Sequence, residues 1–288
     1  MRNKPFKDFP EYIPEIILIN NDLEFTAGCL DKDGWFGYYH ETPAFKTILD
    51  PYYIGKYEVR NDEFKYFVKD SGYFDSSLWS VNGWQYIRSA KRNQPVDWIE
   101  GNEPWVNCPL SNSADKPINN ISWYEAEAYC NWLSKITGHR FSLPSEIQWE
   151  RAARGPDPGR IFPWGNENDT TKYNNIVFNN ILYPVGSFNE GRSYDGCYDL
   201  AGNLEEFCSD LYDINIYQEY KHNEPVYNPM GPDSNTTQQR ALRGTVNMFD
   251  NDPEIAYQIT TFRRMCCYPN DCFGNYGFRI VKMMTEGE

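Results

Sequence analysis

Apolar positions recur at helical spacing most clearly in the middle of the chain. In 121–138, Ile-Ser-Trp-Tyr-Glu-Ala-Glu-Ala-Tyr-Cys-Asn-Trp-Leu-Ser-Lys-Ile-Thr-Gly, the residues Ala126, Tyr129, Cys130 and Leu133 are three or four apart and share one helix face. Ser122 with Glu125 three residues later is a capping box, and Gly138 is a stop. Ser145 with Gln148 repeats the box, and Trp149, Ala152 and Ala153 line a second short helix ending at Gly155. The aromatic rings of both helices are read as core, because apolar residues at this spacing are how a helix buries a face.

Elsewhere the pattern is that of short strands and long irregular stretches. Residues 15–28 read as two strands around Asn20, Asn21 and Asp22, and 51–59 as another strand running into Asn61. Asn61 is placed to cap a helix carrying Phe64, Phe67 and Val68 to a stop near Gly72. From Tyr73 to Pro117 no period is sustained, and Trp79, Trp84, Trp98 and Trp105 are scattered among polar residues. A segment of that kind is a binding loop or a folded surface lobe, and its tryptophans either pin it to the domain or line a groove. The segment 195–210, Asp-Gly-Cys-Tyr-Asp-Leu-Ala-Gly-Asn-Leu-Glu-Glu-Phe-Cys-Ser-Asp, has Gly and Asn for turns and carboxylates suited to a hard cation such as calcium. A last strand is expected in 277–282. No repeat or linker divides the chain, which predicts one α+β domain over 14–282 with an arm at 1–13 and a tail at 283–288.

Composition narrows the partners. With 27 Lys and Arg against 41 Asp and Glu, the net charge of −14 repels phosphate backbones and anionic headgroups, so neither nucleic acid nor a membrane is the expected partner. No run of apolar residues is long enough to span a bilayer, and no apolar segment follows the basic start, so a soluble, cytoplasmic protein without a signal peptide is expected. Eight scattered Cys in 288 residues do not make a disulfide scaffold.

Several blocks, taken in order, resemble the formylglycine-generating enzyme (sulfatase-modifying factor) family. They are 120–133, the Leu-Pro-Ser-Glu-Ile-Gln-Trp-Glu-Arg-Ala-Ala-Arg-Gly of 143–155, Phe-Pro-Trp-Gly-Asn at 162–166, Asp-Leu-Ala-Gly-Asn-Leu-Glu-Glu-Phe-Cys-Ser-Asp at 199–210, Leu-Arg-Gly at 242–244 and Gly-Phe-Arg at 277–279. The resemblance implies an irregular, low-secondary-structure, C-type-lectin-like fold. Its best-known members oxidise a cysteine in a sulfatase peptide with copper and oxygen. Others are non-haem iron sulfoxide synthases, pyoverdine-type maturation proteins, an inactive paralogue and hypervariable binding proteins, and the fold does not choose among them.

The chemistry departs from the copper enzymes at the residues that matter most. The family's copper is held by two cysteines five positions apart after a Gly-Gly-Ser segment, since soft thiolates hold Cu(I). The matching stretch here is 243–250, Arg-Gly-Thr-Val-Asn-Met-Phe-Asp, where Met248 replaces the first cysteine and no second one follows. Cys267 and Cys272 have the right spacing in the wrong place. The resemblance implies a calcium site at Ala201, Gly202, Leu204 and Glu206, and a second at Asn175 and Ile176 that lacks its downstream Asp. The reading is therefore a ligand- or peptide-binding protein whose face is formed by loops 73–117 and 245–276, with Trp105, Asn247 and Met248 as groove residues. The alternative is an oxidase or oxygenase using copper or iron at Cys266, Cys267 and Cys272.

Overall fold

The computed structural model describes residues 13–30, 37–175, 179, 181–234, 237–244 and 259–284. In chain order its strands and α-helices are β1 (Ile16–Ile19), β2 (Glu24–Ala27), β3 (Phe45–Ile48), β4 (Tyr52–Gly55), α1 (Asn61–Lys69), α2 (Val81–Ser89), α3 (Trp123–Thr137), β5 (Phe141–Ser142), α4 (Glu146–Arg154), β6 (Glu205–Leu211), α5 (Ile216–His222), β7 (Val226–Tyr227), β8 (Arg240–Arg243), β9 (Met265–Cys267), β10 (Tyr276–Gly277) and β11 (Val281–Met283). Three small sheets carry them, ordered β1-β4-β11-β5, β10-β6-β8-β9 and β2-β3-β7. Most neighbours are antiparallel, with β10 on β6 and β7 on β3 the parallel pairs.

Both central helices start as the capping boxes require. Glu125 Oε2 accepts the Ser122 N–H at 2.8 Å, and Gln148 Oε1 accepts that of Ser145 at 2.9 Å. Gly138 closes α3 at φ +76°, a left-handed conformation that costs glycine no Cβ clash. Helix α1 differs from expectation at its first residue: Arg60 is the N-cap, and Asn61 turns inward to donate to Ser111 Oγ and the Ser113 carbonyl, both at 2.8 Å.

The two strands of 15–28 enter different sheets, β1 pairing with β4 and β2 with β3. The turn between them is held open by Arg151, which donates to the Asn21 and Asp22 carbonyls at 2.9 and 3.1 Å. Helix α2 lies inside 73–117, where no period was visible. Ser80 caps it, and only Gly83 and Ile87 of its nine residues are buried, so it has too narrow an apolar stripe to register as periodicity.

The largest core cluster joins α1, α3 and the 73–108 segment through rings. Phe64 stacks on Tyr129 at 5.3 Å, Phe67 meets Tyr73 and Trp132, and Trp98 packs on Trp105 at 5.7 Å. Two indole N–H groups in it find acceptors, Trp79 on the Gly72 carbonyl and Trp132 on Asp70, each at 2.9 Å, whereas that of Trp98 is buried without a hydrogen-bond partner. A second cluster lies between α4, α5 and β2 to β4. Among the described residues no helix is long and apolar enough to cross a membrane.

Candidate functional site

The last strand is interrupted where the sequence reads Gly-Phe-Arg. Between β10 and β11 the fully buried Arg279 turns inward and forks onto Glu206, with Nε to Oε2 and Nη2 to Oε1 both at 2.6 Å. Its remaining donors reach the Gly55 carbonyl at 3.0 Å and the Tyr198 carbonyl at 2.8 Å, and Trp149 adds an indole N–H to Glu206 Oε2 at 3.0 Å. Buried charge is tolerated here because every part of it is paired.

Beside this clamp runs the turn from Asp199 to Glu205. Asp199, Gly202 and Asn203 all have positive φ, as a residue series of Asp, Gly and Asn permits. Asn203 holds the turn to its surroundings: its Nδ2 donates to Glu58 Oε2 at 3.0 Å, and its Oδ1 accepts from Asn174 Nδ2 at 3.0 Å and from the Tyr183 N–H at 3.1 Å. Gly202 sits so close to Asn174 that a Cβ would lie 2.3 Å from its carbonyl oxygen. Glu58 Oε1 is buried without a hydrogen-bond partner. Burial, then the nearby Asp199 and Glu206 carboxylates, push the Glu58 carboxyl well above the ordinary range. Asp199 is pushed up to about 6 by burial, although Oδ2 accepts the Gly186 N–H at 2.6 Å.

The expected calcium set fits this geometry poorly at its carboxylate. Glu206 is already neutralised by Arg279, and a divalent cation beside it would face a buried guanidinium. The hard oxygens still unmatched belong to Glu58 and Asp199, which the sequence reading passed over. A signal was available at Glu58, a carboxylate inside the strand-like run Tyr-Glu-Val at 57–59. Ala201 packs with Phe162 and Leu204 in a third apolar cluster. The carbonyl of Asn175 accepts the Asn179 N–H at 3.0 Å. Ile176 lies outside the described residues, as do Asn247 and Met248.

The stretch that matches the family's copper segment but lacks its cysteines begins at the end of β8, where Arg243 spends every N–H it has. Nε reaches Glu146 Oε1 at 3.0 Å, Nη2 reaches Glu150 Oε2 at 2.6 Å and the Tyr217 hydroxyl at 2.8 Å, and Nη1 takes the Thr261 and Arg263 carbonyls at 3.0 and 3.1 Å. Arg243 thus ties the residues on both flanks of 245–258 to helix α4. Gly244 then accepts the Gly202 N–H at 3.0 Å, which seats this end of β8 over the Asn203 turn.

Cys266, Cys267 and Cys272 do not gather around one point. Cys266 and Cys267 are consecutive on β9 and face opposite sides of the sheet, with Cys267 buried. Cys272 lies across α2, where Arg92 Nη1 donates to its sulfur at 3.0 Å while also pairing with Glu125 at 2.8 Å. Burial pushes all three thiols up. Among the described residues no three His, Cys, Asp or Glu side chains form a group able to hold a metal ion. Trp105 is 4% exposed and packed on Trp98, with the Lys65 ammonium 5.0 Å above its ring, so it pins the loop and is not open as a groove wall.

A family model described as a sulfatase-modifying factor enzyme 1-like domain matches residues 6–284. The formylglycine-generating enzyme of Streptomyces coelicolor is 27% identical over 268 residues, covering 84% of this chain and 81% of that protein. The hercynine oxygenase of Mycobacterium tuberculosis is 34% identical over 174 residues, 58% of this chain, and the match spans only 40% of its length. The inactive C-alpha-formylglycine-generating enzyme 2 of Mus musculus is 28% identical over 294 residues, covering 89% of this chain and 82% of that one. Among solved structures, PvdO from Pseudomonas aeruginosa shares the fold at a TM-score of 0.68 and 21% identity, over 95% of this chain and 96% of PvdO. The Treponema denticola variable protein 1 does so at 0.61 and 20%, over 93% and 94% of the two chains.

Proposed function

The chain belongs to the sulfatase-modifying factor enzyme 1-like family, and from that premise we propose that it is a member without the copper-thiolate site, working as a module that binds a peptide, protein or small molecule. One observation carries this reading. Residues 243–250 hold no cysteine, and the three late cysteines lie on different faces and elements as protonated, desolvated thiols. Soft-metal chemistry needs thiolates converging on one ion. A relative named as inactive, matched over most of both chains, is consistent with it. The acidic surface disfavours nucleic acid as the ligand. Calcium is the cation this reading assigns to the Asn203 turn, with Glu58 and Asp199 as its carboxylates in place of Glu206.

The rival is a metal-dependent oxidase or oxygenase, a reading favoured by the names of the formylglycine-generating and hercynine oxygenase relatives. Intact protein is incubated aerobically with Cu(I) and a cysteine-containing sulfatase-type peptide, and the peptide is followed by mass spectrometry. Unchanged cysteine in the peptide is the expected result. Conversion to the aldehyde overturns the binding-module reading, and its loss in Cys272→Ser would assign the activity to the late cysteines.

A further inference from the structure

An open pocket of about 410 Å³ lies beside β1 and the turn 193–198, with Glu15, Lys56, Arg192, Tyr194, Asp195 and Tyr198 among its walls. None of these residues belongs to the loops assigned to the binding face, so the pocket is a separate site. Its volume suits a small ligand.

The turn that forms one wall is fixed from within. The Ser193 N–H donates to the Cys197 carbonyl at 2.8 Å, the Cys197 N–H to Ser193 Oγ at 3.2 Å and the Gly196 N–H to the Ser193 carbonyl at 3.0 Å. Gly196 supplies the positive φ, +90°, that this tight reversal needs. The Tyr198 N–H donates to the Lys56 carbonyl at 2.9 Å, joining the turn to the end of β4. The walls are therefore in place before a ligand arrives, which lowers the ordering cost of binding.

The charges in this pocket pair off with a remainder. Lys56 takes Glu15 at 2.8 Å, and the buried Arg151 takes Asp195 Oδ2 at 2.5 Å. Arg192 is exposed and makes no hydrogen bond or ion pair among the described residues. Asp195 keeps Oδ1 without a partner, on a side chain only 16% exposed. The residues that carry this unpaired guanidinium and this carboxylate oxygen thus line the same space, together with Tyr194 and Tyr198. A guanidinium fork matches a carboxylate, and a carboxylate oxygen beside it matches an ammonium.

We propose that this pocket binds a small zwitterion of the α-amino-acid class, its carboxylate on Arg192 and its ammonium on Asp195, with its side chain against the tyrosine rings. The intact chain is titrated by NMR with L-phenylalanine, with 3-phenylpropionate, which lacks the ammonium, and with 2-phenylethylamine, which lacks the carboxylate. Because the pocket is open, saturation by the amino acid is expected in the range of about 1 mM, with each analogue weaker by about tenfold. Arg192→Gln should bring L-phenylalanine down to the affinity of 2-phenylethylamine without altering thermal stability, since this side chain supports nothing else. The proposal is overturned by the absence of saturable shifts at the 193–198 turn, by an analogue binding as tightly as the amino acid, or by Arg192→Gln binding like the parent chain.

Discussion

Replacing Arg279 by Met removes the centre of the clamp while keeping roughly the same length of apolar stem. The fully buried Glu206 carboxylate is left with the Trp149 indole N–H as its donor, and the Gly55 and Tyr198 carbonyls each lose a partner. Orphaning a buried charge by deleting its partner costs about 3–5 kcal/mol, and each deprived buried carbonyl adds about 1 kcal/mol or more. A total near 5 kcal/mol is of the same order as the whole stability of a typical domain, about 5–15 kcal/mol. In urea unfolding followed by tryptophan fluorescence, the midpoint should fall by about 2.5 M for a slope near 2 kcal/mol/M. Arg279→Lys should lose less, because it keeps the charge but not the two-pronged geometry. A midpoint for Arg279→Met within about 0.3 M of the parent, at unchanged slope, would refute the assignment of the clamp as a structural keystone.

Four further outcomes are expected. Burial and the neighbouring Glu146 push the Asp210 carboxyl up to about 7 from its ordinary 3.8, so the folded chain binds this proton more tightly than the unfolded one. That stability is complete below pH 3.8 and lost as pH rises through about 7; Asp210→Asn should flatten this fall and raise the melting temperature at pH 8. Gly202→Ala, forced into positive φ with its Cβ 2.3 Å from a backbone oxygen, should lower stability by about 2 kcal/mol or more in thermal melts. Millimolar calcium should raise the melting temperature of the parent chain and not of Asp199→Asn; an equal rise in both removes Asp199 from the calcium site. Iodoacetamide on the native chain should label Cys266 and Cys272 first, since the other six cysteines are buried, and peptide mapping that finds Cys130 or Cys208 labelled early would contradict the packing.

What the chain discloses before folding depends on how local the governing interaction is. Helices α3 and α4 were legible because cap, apolar stripe and stop lie within one segment, and both begin one residue after the predicted cap. Helix α2 was not, because most of its surface faces water and its amphipathic signal is thin. The role of Asn61 was misread for a longer-range reason: its amide is captured by Ser111, fifty residues away. At the site, the motif residues Glu206, Arg243 and Arg279 stood out by resemblance, yet their work is pairwise and buried, which spacing cannot reveal. Glu58 meets Asn203 across 145 residues, so the unmatched carboxylate beside the turn emerges only once the sheets are assembled. The spacing of Cys267 and Cys272 said nothing about direction, and direction is what separates them.

The guanidinium of Arg243 joins stretches of chain that are remote in sequence. It holds Gly244's neighbourhood on one side and the Thr261 and Arg263 carbonyls on the other against the same helix, so the end of β8 and the residues leading into β9 share one anchor on α4. One side chain therefore fastens three separate stretches of chain, and its loss would release residues 18 and 20 positions downstream together with helix α4.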